Sequence, residues 1–506
     1  MVIIAISLIF ILGCSKLEEN PEGLITPDTF ITNKKELQAV VSGSYGLMTS
    51  ERYWGRALTV GLLLRDDMCT IGDQTTQVAR KEFDTFTATD TNGLVAGFWP
   101  QSYAIIGTAN RAIEGAKNLT NEDPTEVNKI LAEAYFFRAF TYYNLVRLFG
   151  DIPYIDFVVN NVSEVNRIFK TKEADVYEKI IADLKFAKMH LPDRTSVNAK
   201  PSKATASAYL ASVYLTIKNY QMAYNEAKYV IDNEGTFDLN LESDFQNLFK
   251  SDRALSLKEP LFTIDFNNLN VGADAGQGND YLGFLTAIIG DNTYVPAGGF
   301  SVAVPSNKVF NTWNQRDYRR AVSFDTVYRA PSATAAPVSI LTGPLPNPRA
   351  VNRAHIAKYS RFAGRTGANL RTSSNNYATM RYAEVLLIAA EALNEITPGT
   401  SEADGYINRV RARARNKAGV IINYPSNITA GLSQTDFRNA VIEERRLELA
   451  FEFVRWFDIK RLNIGVQVFG PNGLETQNFD PTKHYLLPFP GTEIAINPNL
   501  APNNPF

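Results

Sequence analysis

EERRLELAFEFVRWFDIKRL, residues 443–462, decides how this chain is read. It holds no Pro and no Gly. Leu447, Phe451 and Val454 share one helical face, and Leu449, Phe453, Trp456 and Phe457 make a second apolar row. The spacing predicts one long helix, or two helices with a bend. A helix apolar on two sides lies buried between neighbours. Its acids come first (Glu443, Glu444, Glu448) and its bases late (Arg455, Lys460, Arg461), which suits the helix dipole. Glu444 and Glu448 are like charges four apart, a small cost unless Arg445 or another cation intervenes. The charges are thus placed for partners on other helices. Ion pairs locking a helical array are the reading, against catalytic use.

Outward from this stretch the chain is rich in helical signals. Glu36–Thr49, Phe98–Glu114, Glu126–Phe149, Ala174–Met189, Ser202–Ile217, Tyr220–Asp232, Met380–Asn394 and Ser401–Asn416 all carry the helical period. Gly150 stops one of them, and Asn219 turns the chain between two. Leu210, Ala211, Tyr214, Leu215, Tyr220, Ala223 and Ala227 have the small–large spacing of a tetratricopeptide repeat. Ala-Glu-Ala occurs at Glu133 and again at Glu391, and a buried Glu needs a partner, for which Arg138, Arg445 and Arg446 are available. Arg409, Arg411, Arg413 and Arg415 read as an ion-paired face, given the acids around them. Leu58–Leu64 is apolar and stops at Arg65-Asp66-Asp67, where either acid caps a turn or joins a site. Cys69–Arg80 reads as a loop.

Between residues 235 and 378 the helical period fades and Gly, Pro, Asn and Ser rise. Leu261–Phe266 reads as a strand and Val309–Trp313 as a short helix, with loops around them. So much irregular chain inside a folded protein points to packed loops with a task. Tyr281, Phe284, Tyr294, Trp313 and Tyr318 are its aromatics, with Asn279, Asp280, Arg316 and Asp317 beside them. An exposed ring can stack on the C–H face of a sugar while such polar groups bind the hydroxyls.

The totals narrow the function. In 506 residues, 45% are hydrophobic, ample for a large core. A net charge of -2 supplies no basic field for nucleic acid. Three His and two Cys exclude a Cys/His zinc site by number. No phosphate loop, nucleophile elbow or metal-spaced His is present, so no catalytic residue, metal ligand or cofactor is assigned.

At the N-terminus, Val2–Gly13 is an apolar run too short to span a bilayer. Ile11-Leu12-Gly13-Cys14 resembles a bacterial lipobox, although no basic residue precedes the run. That likeness implies a signal peptide over 1–13 and a lipid on Cys14, which would remove Cys14 from any disulfide and leave Cys69 a lone buried thiol. Ser15-Lys16-Leu17-Glu18-Glu19 resembles the surface-export signal of Bacteroidetes lipoproteins.

Several stretches together resemble the SusD/RagB family, surface lipoproteins of Bacteroidetes that bind glycans or other nutrients beside a TonB-dependent transporter. They are ERRLELAFE with RWFDIKRL, Phe98–Glu114, AEAYFFRAFTYYNLVRLFGDIPYI from Ala132, MRYAEVLLIAAEALN from Met380, and the ending from Tyr485 to Leu500. Members commonly have Gly-His or Gly-Gln where Phe453-Val454 stands. The resemblance implies a mainly α fold, a tetratricopeptide-like helical-repeat scaffold with an irregular loop-rich insertion carrying a few short strands. It implies one domain over 14–506: scaffold 30–234 and 379–465, ligand-binding insertion 235–378, and a Pro-rich segment 466–506 laid over the scaffold. It implies an oligosaccharide-binding, non-enzymatic lipoprotein of the outer membrane, facing the cell exterior, that delivers ligand to a SusC-like transporter. Capture of peptides or other nutrients by the same lid mechanism, or a helical-repeat scaffold that binds only protein, are the alternatives. The ligand candidates are Asp66, Asp67, Asp73, Asp280, Tyr281, Tyr294, Trp313, Arg316 and Tyr318.

Overall fold

The computed structural model describes residues 31–267, 278–329, 336–345, 347–367 and 370–504, with only the backbone of Val162 and Leu255. The predicted signal peptide and the predicted lipid site Cys14 lie outside them. No helix among the described residues is long and apolar enough to cross a membrane.

The fold is mainly α. Eight helices build the scaffold: α1 (Lys34–Met48), α2 (Ala57–Arg65), α3 (Val95–Gly115), α4 (Pro124–Phe149), α5 (Glu173–His190), α6 (Lys203–Thr216), α7 (Tyr220–Asp232) and α8 (Tyr382–Ile396). Here α1 packs on α3, and the series α3 to α8 is continuous in space although the insertion separates α7 from α8 in sequence. α9 (Ser401–Ala414) and α10 (Gln434–Glu448) then pack on α8. The ends are set by local chemistry. Asp123 accepts from Thr125 N with Pro124 in the first turn, and Gly150 at φ 73 stops the same helix. Ser202 and Thr205 cap α6 reciprocally, and Asn219 accepts from Met222 N to start α7.

The 443–462 stretch is two helices. α10 ends at Glu448 and α11 (Arg455–Leu462) follows. Between them Phe451 and Phe453 take φ 66 and φ 67, values that L side chains rarely adopt. Remote donors catch the freed carbonyls: Lys358 Nζ bonds Ala450 O at 2.9 Å, Tyr359 OH bonds Phe451 O at 2.6 Å, and Arg381 Nη2 bonds Glu448 O at 3.1 Å. Both Phe rings stay in the core.

The charges of α10 face a buried ionic network. Arg319, from the insertion, bridges Glu444 at 2.6 Å and Glu448 at 3.1 Å, which relieves the like-charge pair. Glu448 also meets Arg381 and Arg413, and Arg411 meets Glu444. Glu259 and Glu452 join through Arg381, Lys358 through Glu452, and Asp317 through Arg319. Five carboxylates (Asp317, Glu259, Glu444, Glu448, Glu452) thus face five cations (Arg319, Lys358, Arg381, Arg411, Arg413), which is what burial of charge requires. The partners expected for the Ala-Glu-Ala glutamates are corrected. Glu391 pairs with Arg461 and Glu133 accepts from Tyr45, whereas Arg138 pairs with Asp183, Arg445 with Glu384 and Asp458, and Arg446 with Glu443.

Short strands fasten the insertion. β1 (Cys69–Ile71), in a segment read as loop, pairs antiparallel with β3 (Ala303–Pro305), and β2 (Pro260–Asp265) pairs antiparallel with β4 (Asn376–Arg381). The second pair joins the two ends of the insertion and delivers the chain into α8. Residues beyond α11 run back over the scaffold. Leu487 N bonds Leu148 O at 2.8 Å, and Phe489 packs on Trp99 and Phe149.

Candidate functional site

Backbone bonds bring four distant stretches onto one loop surface. Tyr281 N bonds Gly55 O at 3.0 Å, Asp73 N bonds Ser301 O at 2.7 Å, Ala297 N bonds Leu370 O at 3.2 Å, and Ser373 N bonds Asp280 O at 2.9 Å. The turn before α2, the loop after β1, and two parts of the insertion are therefore held in fixed register.

Aromatic rings flanked by guanidinium groups mark this surface. Arg56 lies 5.5 Å from the centroid of the half-buried Tyr281 and pairs with Glu51 at 2.5 Å. Arg349 lies 5.0 Å from Phe300 and pairs with Asp73, and Phe300 packs 4.7 Å from Phe284. Arg329 lies 5.0 Å from the half-buried Tyr294 and meets Asp325 at 3.2 Å and Asp291 at 3.6 Å. Each arrangement fixes a ring, a cation and a carboxylate together, and the carboxylate restrains the guanidinium that lies over the ring. Burial pushes the Asp73 carboxyl up, but donation from Arg349 and Thr75 outweighs it and holds the group below its ordinary value. Gln74, Thr75 and Gln77 stand exposed beside it. Ring faces with hydroxyl, amide and guanidinium donors around them suit a polyhydroxylated ligand.

The predicted residues fall in different places. Asp73, Tyr281 and Tyr294 belong to the arrangements just described. Asp66 is buried and caps the turn after α2, accepting from Met68 N at 2.8 Å and Cys69 N at 3.2 Å. Asp67 is buried in a two-bond pair with Arg455, both bonds 2.6 Å, which ties this turn to α11. Asp280 is fully buried, accepting from Leu282 N at 2.6 Å and from the Ser373 and Tyr377 hydroxyls. Burial pushes its carboxyl up to about 7. Trp313 is 2% exposed, packed edge-on against Phe324 at 5.3 Å, with both faces inside the core. Asp317 is buried against Arg319. Arg316 is exposed and lies 4.9 Å from the Tyr424 ring, and Tyr318 OH bonds Asp244 at 2.9 Å, so these two meet neighbours other than the loop surface. Cys69 is buried.

Sequence reading missed Glu51, Arg56, Phe300 and Arg349. Each is ordinary in its local sequence, and only the long-range bonds of Gly55 with Tyr281 and of Asp73 with Ser301 assemble them.

Residues 303–506 match the family model described as SusD family, and residues 27–215 match one described as starch-binding associating with outer membrane. A SusD-like protein P2 of Formosa agariphila is 56% identical over 499 residues, covering 98% of this chain and 97% of that protein. Among solved structures, a SusD homolog from Bacteroides thetaiotaomicron superposes with TM-score 0.81 at 22% identity, covering 95% of this chain and 98% of that one. A laminarin-binding SusD-like protein superposes with TM-score 0.77 at 21% identity (94% and 99% covered). Surface glycan-binding protein A of Bacteroides thetaiotaomicron, solved with laminarihexaose, does so with TM-score 0.76 at 19% identity (93% and 99% covered). These likenesses give the helical-repeat fold its relatives, and the long relative at high identity settles the membership: the chain belongs to the SusD/RagB family.

Proposed function

We propose that this protein binds an oligosaccharide at the cell surface and passes it to a SusC-like TonB-dependent transporter, held to the outer membrane by a lipid on Cys14. The mechanism is capture and delivery, with no bond made or broken. The insertion over 235–378 carries most of the ligand surface, joined by the loops at 51–56 and 73–77, and the helices before and after it are the rigid base. The observation that carries this reading is the set of half-buried tyrosines, Tyr281 and Tyr294, each beside an arginine on loops clamped to the scaffold. A sugar ring stacks its C–H face on such a tyrosine, and Arg56 and the exposed Gln74 and Thr75 bind hydroxyls, while the buried Asp73 positions Arg349 and Thr75. The glycan-binding relatives support the ligand class. The Asp67–Arg455 and Arg319–Glu444 pairs act indirectly, by fixing the loops to α10 and α11.

Affinity electrophoresis against a panel of polysaccharides tests this, using a soluble form that begins after Cys14. Retardation by one polysaccharide class, lost in Tyr281→Ala or Tyr294→Ala, supports the reading. A folded protein retarded by none of them moves the assignment to peptide capture or to a lid that binds only with its transporter.

A further inference from the structure

We propose that a cleft in the helical scaffold, formed by α4, α5, α6 and α11 and separate from the loop surface, binds an acidic peptide segment, whose carboxylate Arg147 and Lys460 receive. The cleft is open to solvent and has a volume of about 480 Å³. Most buried cations of this chain face an acid: Arg138, Arg319, Arg381, Arg445, Arg455 and Arg461 each have a carboxylate within ion-pair distance. Among the described residues the half-buried Arg147 and Lys460 have none, and of the buried cations without one, Arg65 and Arg80, neither lines this cleft. Arg147 is sandwiched between the rings of Tyr143 at 3.6 Å and Phe457 at 3.5 Å, and its Nε and Nη2 bond Tyr143 O and Asn144 Oδ1, both at 2.9 Å. Its guanidinium is therefore held in place before any ligand arrives. Lys460 Nζ bonds the backbone carbonyl of Arg147 at 2.6 Å, and both side chains line the same cleft. Burial draws the Lys460 ammonium down to about 8, and Glu173 on the opposite wall opposes this without reaching ion-pair distance. An incoming carboxylate restores the charge balance that the site lacks.

The remaining wall decides the ligand class. Tyr177, Phe457 and Ile217 make it mostly apolar, and Ile217 is 38% exposed. Tyr177 and Phe457 are buried here, with Arg147 on a face of Phe457, so they offer a sugar less ring face than the half-buried tyrosines of the loop surface. A leucine or phenylalanine next to an aspartate or glutamate fills the apolar part and places its carboxylate on the two cations.

The test is an array of octapeptides that join Asp or Glu to Leu or Phe, each beside its Asn or Gln counterpart, probed with the full chain and followed by fluorescence anisotropy. Acidic peptides should bind about tenfold or more tightly than their amide counterparts. Lys460→Met and, independently, Ile217→Glu at the rim should each weaken them by about tenfold, with glycan binding at the loop surface unchanged. Equal binding of acidic and amide peptides, acidic binding untouched by both variants, or no peptide binding at all would overturn the assignment. So would displacement of the acidic peptides by a uronic-acid oligosaccharide alone, which would give the cleft to a sugar.

Discussion

Asp458→Asn takes one charge out of a buried series, Glu384–Arg445–Asp458–Arg461–Glu391, that ties α8, α10 and α11 together. Asp458 accepts from Arg445 at 2.9 Å and from Arg461 at 2.8 Å, and it is 4% exposed. Burial alone would push its carboxyl up. The two guanidinium groups outweigh burial and hold it at about 2, against an ordinary value of 3.8. At about 1.36 kcal/mol per pH unit between those values, the charged form stabilises the fold by about 2 kcal/mol, which Asn forfeits. The sign follows from linkage. The folded value lies below the unfolded one, so the contribution is complete above about pH 4 and is lost as pH falls through about 2. Urea unfolding of wild type and Asp458→Asn, followed by tryptophan fluorescence, should show a gap of about 2 kcal/mol near pH 7 that shrinks to about half near pH 3. A gap that stays constant with pH would refute the electrostatic account and leave only packing. A gap under about 0.5 kcal/mol at neutral pH would refute the role of this aspartate altogether.

Four other outcomes follow from the geometry. Asp67→Ala leaves Arg455 buried without its partner and should cost about 3–5 kcal/mol in the same unfolding assay. His355 is buried, and burial draws its imidazole down to about 4, so it is neutral in the fold; stability should fall as pH drops from about 6.5 towards 4, and His355→Gln should flatten that slope in a pH series of unfolding curves. A Cβ on Gly283 would sit 2.6 Å from Tyr359 O, so Gly283→Ala should lower stability by about 1–3 kcal/mol and loosen the segment that carries Tyr281, read as faster amide exchange there. Trp313→Phe should lower the melting temperature through lost core contact and leave glycan retardation unchanged, whereas Tyr281→Ala should abolish retardation in a protein that still folds.

The helical scaffold was legible because its signals are local. Asn219 and the period after it place α7 at Tyr220–Asp232, as the structure has it. Gly150 likewise ends α4. Of the two readings open for 443–462, the structure has two helices with a bend, but the place of the break was not legible, because no Pro or Gly stands near Phe451 or Phe453. It is imposed by Lys358, Tyr359 and Arg381, which lie far away in sequence and bond the carbonyls that the break releases. The strand at Cys69–Ile71 was hidden in the same way, since it exists through its partner Ala303–Pro305. For the candidate site, residue types in the insertion identified rings and polar groups but not their exposure. Tyr281 and Trp313 look alike in sequence, yet one ring is half-buried beside Arg56 and the other is enclosed by Phe324 and the core. Asp66 and Asp67 were equally open to two readings, and in the structure a turn and Arg455 occupy them. Arg56 and Arg349 gave no local sign, because their rings and acids are supplied by other parts of the chain.

A crystal structure of the soluble form with an oligosaccharide drawn from the polysaccharide that retards it would test the central claim most directly. The account predicts a sugar ring stacked on Tyr281 or Tyr294, with hydroxyls bonded by side chains of the loops at 51–56, 73–77 and 278–300. A sugar bound anywhere else on the chain, with both tyrosines untouched, would contradict it.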